Sequence, residues 1–241
     1  MRPKDLEREG VCFKVLRAIQ GKEVVLVGGY AVSAYGPPRF SVDLDVVLER
    51  NTVPSVREVL RDAGFTKAKD WDGGGVFASR AERWVFGKGS LPASVDMLVD
   101  GISDRVSKMT FTYAMLRRTA ALRTVRGLAV ASVAEPLVPS REVLIALKLH
   151  VARRVDLRDV VVLAGEAVDR EALASFLSQA PQPLVLDHVR RLLSDLETRA
   201  FKDSLKGVYM LDDRVYSRYL HGAAELGLWL ERRFQESTRT K

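Results

Sequence analysis

Val27-Gly28-Gly29-Tyr30-Ala31-Val32-Ser33-Ala34-Tyr35-Gly36, followed by Arg39-Phe40-Ser41-Val42-Asp43-Leu44-Asp45, is the stretch on which the fold turns. Glu23-Val24-Val25-Leu26-Val27 reads as a buried strand, and the glycine pair lets the backbone bend tightly and approach a ligand before a short helix over Tyr30 to Tyr35. Free amides at that helix start suit a polyphosphate. A second strand then carries Asp43 and Asp45 on alternate positions. Strand side chains alternate faces, so the two carboxylates share one, roughly 6–7 Å apart along the strand, while Leu44 faces the core. The segment lacks G-x-G-x-x-G, and no P-loop is present.

Aspartate is depleted in strands and expensive to bury unpaired, yet Asp43 and Asp45 stand among Val42, Val46, Val47 and Leu48. Two partners answer the need for positive charge. One is Arg39 or another base at the strand end; the other is magnesium, a hard cation that takes one or two protein carboxylates and completes its shell with phosphates and water. The glycine pair just upstream weighs toward the cation. A two-metal site usually calls for a further acid, and Ser94-Val95-Asp96-Met97-Leu98-Val99-Asp100 offers one: Asp96, inside an apolar run that a neighbouring strand could bring beside Asp43 and Asp45. Asp100 and Asp104 fall where turn or N-cap duty accounts for them.

These residues resemble the nucleotidyltransferase superfamily, the fold shared by DNA polymerase beta and the minimal and antibiotic nucleotidyltransferases. Gly28-Gly29-x-Ala31, Gly36 and Arg39-x-Ser41-x-Asp43-x-Asp45 are most similar to the branch containing the AbiEii-type abortive-infection toxins, which often has Thr in place of Ser41. A second block, Leu144-Ile145-Ala146-Leu147-Lys148 with Arg153-Arg154 and Asp156-Leu157-Arg158-Asp159-Val160, resembles the helical segment that follows the catalytic domain there. The likeness spans roughly residues 23–165, and the final stretch carries no motif that extends it.

The resemblance implies a transfer of a nucleoside monophosphate from a nucleoside triphosphate to an acceptor hydroxyl, with pyrophosphate leaving. Asp43, Asp45 and Asp96 would hold one or two magnesium ions, with manganese as the alternative. Gly28 and Gly29 would cradle the leaving phosphates, with Ser33 and Ser41 beside the nucleotide, although a helical serine such as Ser33 is more often merely solvated. Arg39 and Lys148 are candidate cations for the charge on the transferring group, Lys148 having the rival reading of a surface lysine on an amphipathic helix. Transfer RNA ends lead as acceptor, ahead of a protein hydroxyl or a small antibiotic-like molecule, and a cognate antitoxin is an implied protein partner. Nothing in the motif selects among ATP, CTP, GTP and UTP. The reading from another class is a nucleotide- or RNA-binding module on the same fold whose catalysis has lapsed, or a regulatory subunit that binds a partner.

The chain has 241 residues, 47% of them hydrophobic, enough for a proper core and one or two domains. No apolar run approaches the ~18 residues of a membrane span, and Met1 to Leu6 leads into charges rather than a signal segment, so a cytoplasmic protein with no membrane partner is expected. Cys12 is the single cysteine, which excludes an intramolecular disulfide. The formal charge of +7 is uneven: residues 1–134 hold 21 basic against 15 acidic side chains, and the remainder 17 against 16. Metal would neutralise three of the first set of acids, leaving that domain's surface basic, with Arg117, Arg118, Arg123 and Arg126 clustered and Lys67 and Lys69 before Trp71. Such a field attracts phosphates, RNA among their sources.

The fold expected is α/β (α+β): a small mixed-sheet catalytic domain over 1–134 followed by a helical bundle over 135–241, with Pro136 and Pro139 marking the linker. Helices are predicted at 5–19 and 54–63. Ala68–Asp72 is read as turning through Gly73-Gly74-Gly75 into Val76–Ser79, with Glu82–Phe86 following, and further strands at 121–126 and 128–132. Beyond the prolines, spacings of three and four predict five helices, at 140–154, 157–165, 170–179, 184–196 and 213–234. Leu226, Leu228, Trp229 and Leu230 are expected to anchor the last, and Asp156 to N-cap the second. His150, His188 and His221 stand in no metal spacing and read as ordinary helix residues.

Overall fold

Val24–Val27 forms β1, an uninterrupted apolar strand buried on both faces, as a central strand must be. The computed structural model describes residues 3–41, 43–72, 80–87, 93–104 and 109–239. Their contacts divide them into two compact units, Met1–Ala34 with Pro38–Ser140, and Tyr35–Pro37 with Arg141–Lys241.

The first unit is built on a mixed sheet. After helix α1 (Pro3–Ala18) and β1 come the short helix α2 (Gly28–Val32), β2 (Asp43–Leu48), α3 (Val53–Asp62), β3 (Thr66–Asp72), β4 (Arg80–Phe86) and β5 (Ala93–Val99). A hairpin of β6 (Gly101–Ser103) and β7 (Thr110–Thr112) leads to α4 (Tyr113–Thr119), then to β8 (Ala121–Leu122), β9 (Val125–Arg126), β10 (Val133–Ala134) and β11 (Leu137–Val138). Among the described residues the main sheet runs β3-β4-β5-β2-β1-β11-β8. Its centre is mixed: β2 is antiparallel to β1 but parallel to β5, and β11 is parallel to β1. The first unit, which includes β11, runs on to Ser140; the division expected at 134/135 rested on Pro136 and Pro139 as a linker and on the helical pattern after them. Phe13, Leu16, Leu26, Leu44, Leu48 and Met97 are fully buried at its core.

Several expectations shift. The helix after the glycines starts at Gly28 and ends at Val32, rather than spanning 30–35. β3 pairs directly with β4, with an irregularity between Lys67 and Lys69; Gly73–Gly75 and Val76–Ser79 lie outside the described residues. The strand predicted over 121–126 is split into β8 and β9, each pairing elsewhere. No strand spans 128–132, because the fully buried Glu9 of α1 accepts the backbone N–H groups of Leu128, Ala129 and Val130 and so takes the donors a ladder would need. A buried carboxylate with three backbone donors is a satisfied one.

The second unit is helical: α5 (Arg141–Val151), α6 (Arg154–Leu163), α7 (Arg170–Leu177), α8 (Gln182–Glu197), α9 (Arg199–Tyr209) and α10 (Asp213–Arg239). Six helices, not five, lie among the described residues. The helix missed, α9, is signalled by Phe201, Leu205 and Tyr209, all buried at four-residue spacing, and by Thr198, whose hydroxyl accepts from the Phe201 N–H as an N-cap. In α10, Leu226 and Leu230 are buried as expected, whereas Leu228 is 51% exposed; the core row is Ala223, Leu226, Leu230 and Phe234. Among the described residues no helix is long and apolar enough to cross a membrane.

Candidate active site

The site begins where β1 runs out. Gly28 takes φ +70°, a left-handed conformation that side chains disfavour. Space forbids a side chain as well: a Cβ on Gly28 would lie 2.0 Å from Asp45 Oδ2, and one on Gly29 would lie 2.6 Å from an Arg39 terminal nitrogen. The glycine pair therefore makes room for a carboxylate and a guanidinium. Behind the bend, Ser33 is buried; its hydroxyl donates to Gly29 O at 3.3 Å and accepts the Arg39 N–H at 3.3 Å, so it braces the loop rather than facing water. The buried Tyr30 donates to Ser41 O at 3.0 Å and packs edge-on against Phe13, while the Ser41 hydroxyl donates to Asp43 O at 3.1 Å. These bonds hold the entry to β2, and with it the Asp-x-Asp register.

Two strands then bring acids together. Asp45 is paired in register with Asp96 across the parallel β2–β5 ladder, and Asp43 with Ser94. Residues opposite one another in a ladder project from the same face, so Asp43, Asp45 and Asp96 share a face of the sheet, each only part-buried. The Ser94 hydroxyl donates to Asp43 Oδ1. Asp96 has a partner that its own segment did not reveal: Arg83, opposite it on β4, donates from Nε to Oδ1 at 2.7 Å and from Nη2 to Oδ2 at 2.5 Å. Those bonds to Asp96, with the nearby charges of Asp43 and Asp45, raise the Arg83 pKa against the effect of burial.

Among the described residues no three His, Cys, Asp or Glu side chains converge closely enough to hold a metal ion. Asp43 and Asp45 by themselves match the one or two carboxylates that magnesium takes from a protein in phosphate-binding sites. The donor set thus fits a hard cation, with Asp96 beside it but engaged by Arg83.

Alternation puts Glu82 on the reverse face, where it is 1% exposed and receives Arg57, Lys67 and the Trp84 indole N–H. Burial pushes its carboxyl up, but these donors outweigh it and hold the pKa at about 2.

Lys148 and its neighbours form a polar centre within the helical unit. The Lys148 ammonium lies 2.8 Å from Asp159 Oδ2 and 3.2 Å from Asp156 Oδ1, with the side chains 13%, 2% and 3% exposed. The reading of Lys148 as a surface lysine is therefore overturned: the α5 face that carries it is turned inward. Asp156 does cap the helix, but from its third residue rather than from the N-cap position: α6 starts at Arg154, and Asp156 accepts the Arg153 backbone N–H at 3.3 Å and its Nε at 2.7 Å. The Tyr209 hydroxyl donates to Asp159. Nothing near Asp159 in the sequence points to Tyr209, which reaches it from a helix 50 residues away. His150 is buried in α5, His188 Nδ1 meets Leu149 O at 2.8 Å, and His221 is exposed beside Glu225.

No curated protein matches the chain. Among solved structures, JHP933 from Helicobacter pylori shares 14% identity with a TM-score of 0.50, over 100% of this chain and 97% of that one. MenT4, a nucleotidyltransferase toxin from Mycobacterium tuberculosis H37Rv, shares 17% identity with a TM-score of 0.50, over 97% of this chain and 89% of that one. At such identities the likeness speaks for the fold, which is that of the nucleotidyltransferase toxins. The family model described as the nucleotidyl transferase AbiEii toxin of type IV toxin–antitoxin systems matches residues 14–214, both polar centres included, and the chain belongs to that family.

Proposed function

We propose that the chain moves a nucleoside monophosphate from a nucleoside triphosphate onto an acceptor hydroxyl, releasing pyrophosphate, with magnesium or manganese bound by Asp43 and Asp45 and joined by Asp96. The observation that carries this reading is the register of β2 against β5, which sets Asp45 beside Asp96 at a bend where the lack of a side chain on Gly28 makes room for the Asp45 carboxylate. A divalent ion there would neutralise phosphate charge and lower the pKa of an attacking hydroxyl. The protein's own part is orientation. Gly28 and Gly29 make room at the bend for the Asp45 carboxylate and the Arg39 guanidinium, which would meet the triphosphate there; Ser33 and Ser41 keep that bend and the start of β2 in place, and Arg39, against Gly29, supplies positive charge to the transferring group. Lys148 is already matched by Asp156 and Asp159, so the charge-stabilising role goes first to Arg39.

The acceptor we favour is RNA, with the ends of transfer RNA first, because residues 1–134 carry the excess of basic side chains and clustered arginines that a polyphosphate chain would meet. Membership of a toxin–antitoxin family adds an antitoxin as the protein partner to be sought. The test is turnover with each labelled triphosphate, magnesium and total RNA. Pyrophosphate release that depends on RNA and vanishes in Asp43→Asn supports the reading; release that persists in that variant removes the metal assignment.

The Arg83 fork on Asp96 favours one second reading, a nucleotide-binding module in which transfer has lapsed. It requires triphosphate binding by calorimetry with no pyrophosphate release from any acceptor.

A further inference from the structure

Arg83, Asp96 and Asp45 stand in line across three neighbouring strands, β4, β5 and β2, at matching register positions. Strands in a sheet are about 4.8 Å apart, so the guanidinium is one strand further from Asp45 than Asp96 is, on the face that the candidate cation would occupy. Both Asp96 oxygens are taken by the planar fork, the geometry that makes arginine the strongest single partner of a carboxylate. Three carboxylates on one face without a counter-charge repel one another, and a guanidinium among them relieves this as a cation does. The two cannot both be accommodated at full strength: each takes Asp96, and each repels the other. The Arg83 side chain is 40% exposed against 15% for Asp96, so the guanidinium has an open side toward water and can leave without unpacking a core.

We propose that Arg83 is a displaceable latch: it holds Asp96 while no divalent cation is bound, and yields it when the cation arrives with the triphosphate, its freed guanidinium then turning to the phosphate oxygens on the same face. The inference rests on the assignment of Asp43, Asp45 and Asp96 as ligands made above. Arg83 is in these terms a positioning residue, acting on the cation through Asp96. It sets the order of events, since cation and nucleotide together supply what neither does alone: one takes Asp96, the other takes Arg83.

The test is titration of the full chain with Mn2+ alone, free ion being read by its electron paramagnetic resonance signal. Arg83→Gln is expected to bind Mn2+ about tenfold more tightly than wild type, the scale of one charged hydrogen-bonded pair given up. Arg83→Lys, which keeps the charge but not the fork, should fall between. The double variant Arg83→Gln/Asp96→Asn should lose the gain. An arginine with a merely structural role would lower the melting temperature in Arg83→Gln and leave Mn2+ affinity unchanged or weaker, and that result overturns the latch; should Arg83→Gln fail to fold, unchanged affinity in Arg83→Lys overturns it equally. Tighter Mn2+ binding with no pyrophosphate release from any form keeps the latch and sinks the transferase reading. Unchanged Mn2+ binding beside RNA-dependent release by wild type does the reverse.

Discussion

The two polar centres of this chain both set aspartates against a basic side chain and are put to opposite use. In the sheet unit, acids from two strands and an arginine from a third meet on a part-exposed face. In the helical unit, Lys148, Asp156, Asp159 and Tyr209 are gathered from three helices with the carboxylates 3% and 2% exposed. Water reaches the guanidinium side of the first set, so its pairs can be exchanged. The second is desolvated, so each member depends on the others, and removing one leaves a buried charge with too few partners. A fold can thus keep one cluster of charge for chemistry and another for shape, and burial is what separates them.

Substitutions should divide along the same line. The largest effect belongs to Asp43→Asn. We expect turnover to fall by about a thousandfold or more, the scale seen when one group that stabilises charge at the reacting centre is lost, with an unchanged denaturant midpoint; a stability loss of the same size would erase the contrast. Next, Lys148→Met should destabilise the helical unit by about 3–5 kcal/mol, because Asp156 and Asp159 stay buried without their shared cation. Chemical denaturation followed by circular dichroism checks it.

Third comes the reverse face of β4, where Glu82 makes a closed cluster inside the sheet unit itself. Its folded-state pKa of about 2 lies below the ordinary 4.5, so its contribution is complete above pH 4.5 and is lost as pH falls toward 2. The corresponding contribution is about 3 kcal/mol at neutral pH. Glu82→Gln should therefore lower stability at pH 7 and flatten the acid limb between pH 4.5 and 2. A limb as steep as that of wild type would mean that other carboxylates carry the acid sensitivity.

Gly28→Ala follows, with a loss of about 1–3 kcal/mol, since alanine is strained at positive φ and its Cβ would meet Asp45. Nucleotide affinity should fall with it, by calorimetry. The smallest change in stability is expected from Arg83→Gln, less than about 1 kcal/mol, because the guanidinium side of its pair with Asp96 is open to solvent. If this substitution proves as damaging as Lys148→Met, the sheet centre is as closed as the helical one.

Much of the fold was legible because it is local. The Asp43–Asp45 alternation, the apolar run of β1, the glycine bend and the helical periodicity after Pro139 are each contained within a few residues, and the structure has a strand, a bend and helices there. The errors fall where a distant group intervenes. Residues 128–132 have strand composition, but Glu9 of α1 claims their amides. Lys148 has the flanks of a surface lysine, but Tyr209 and two aspartates close over its environment. Leu228 belongs to an apolar patch in sequence, and one step of helical rotation turns it to water.

Arg83 makes the boundary plain. The chain's own order dictates that Asp43 and Asp45 share a face, because strand geometry repeats every two residues and needs no information from elsewhere. That Asp96 stands next to Asp45, and that Arg83 clasps Asp96, depends on the registers β5–β2 and β4–β5, which place residues 51 and 13 positions apart in contact. A register is set by how whole faces of neighbouring strands pack against helices and one another, and a slip of one residue would have turned Asp96 into the core. The chemistry of the site is therefore written in single residues, while its geometry arises from the packing of the sheet.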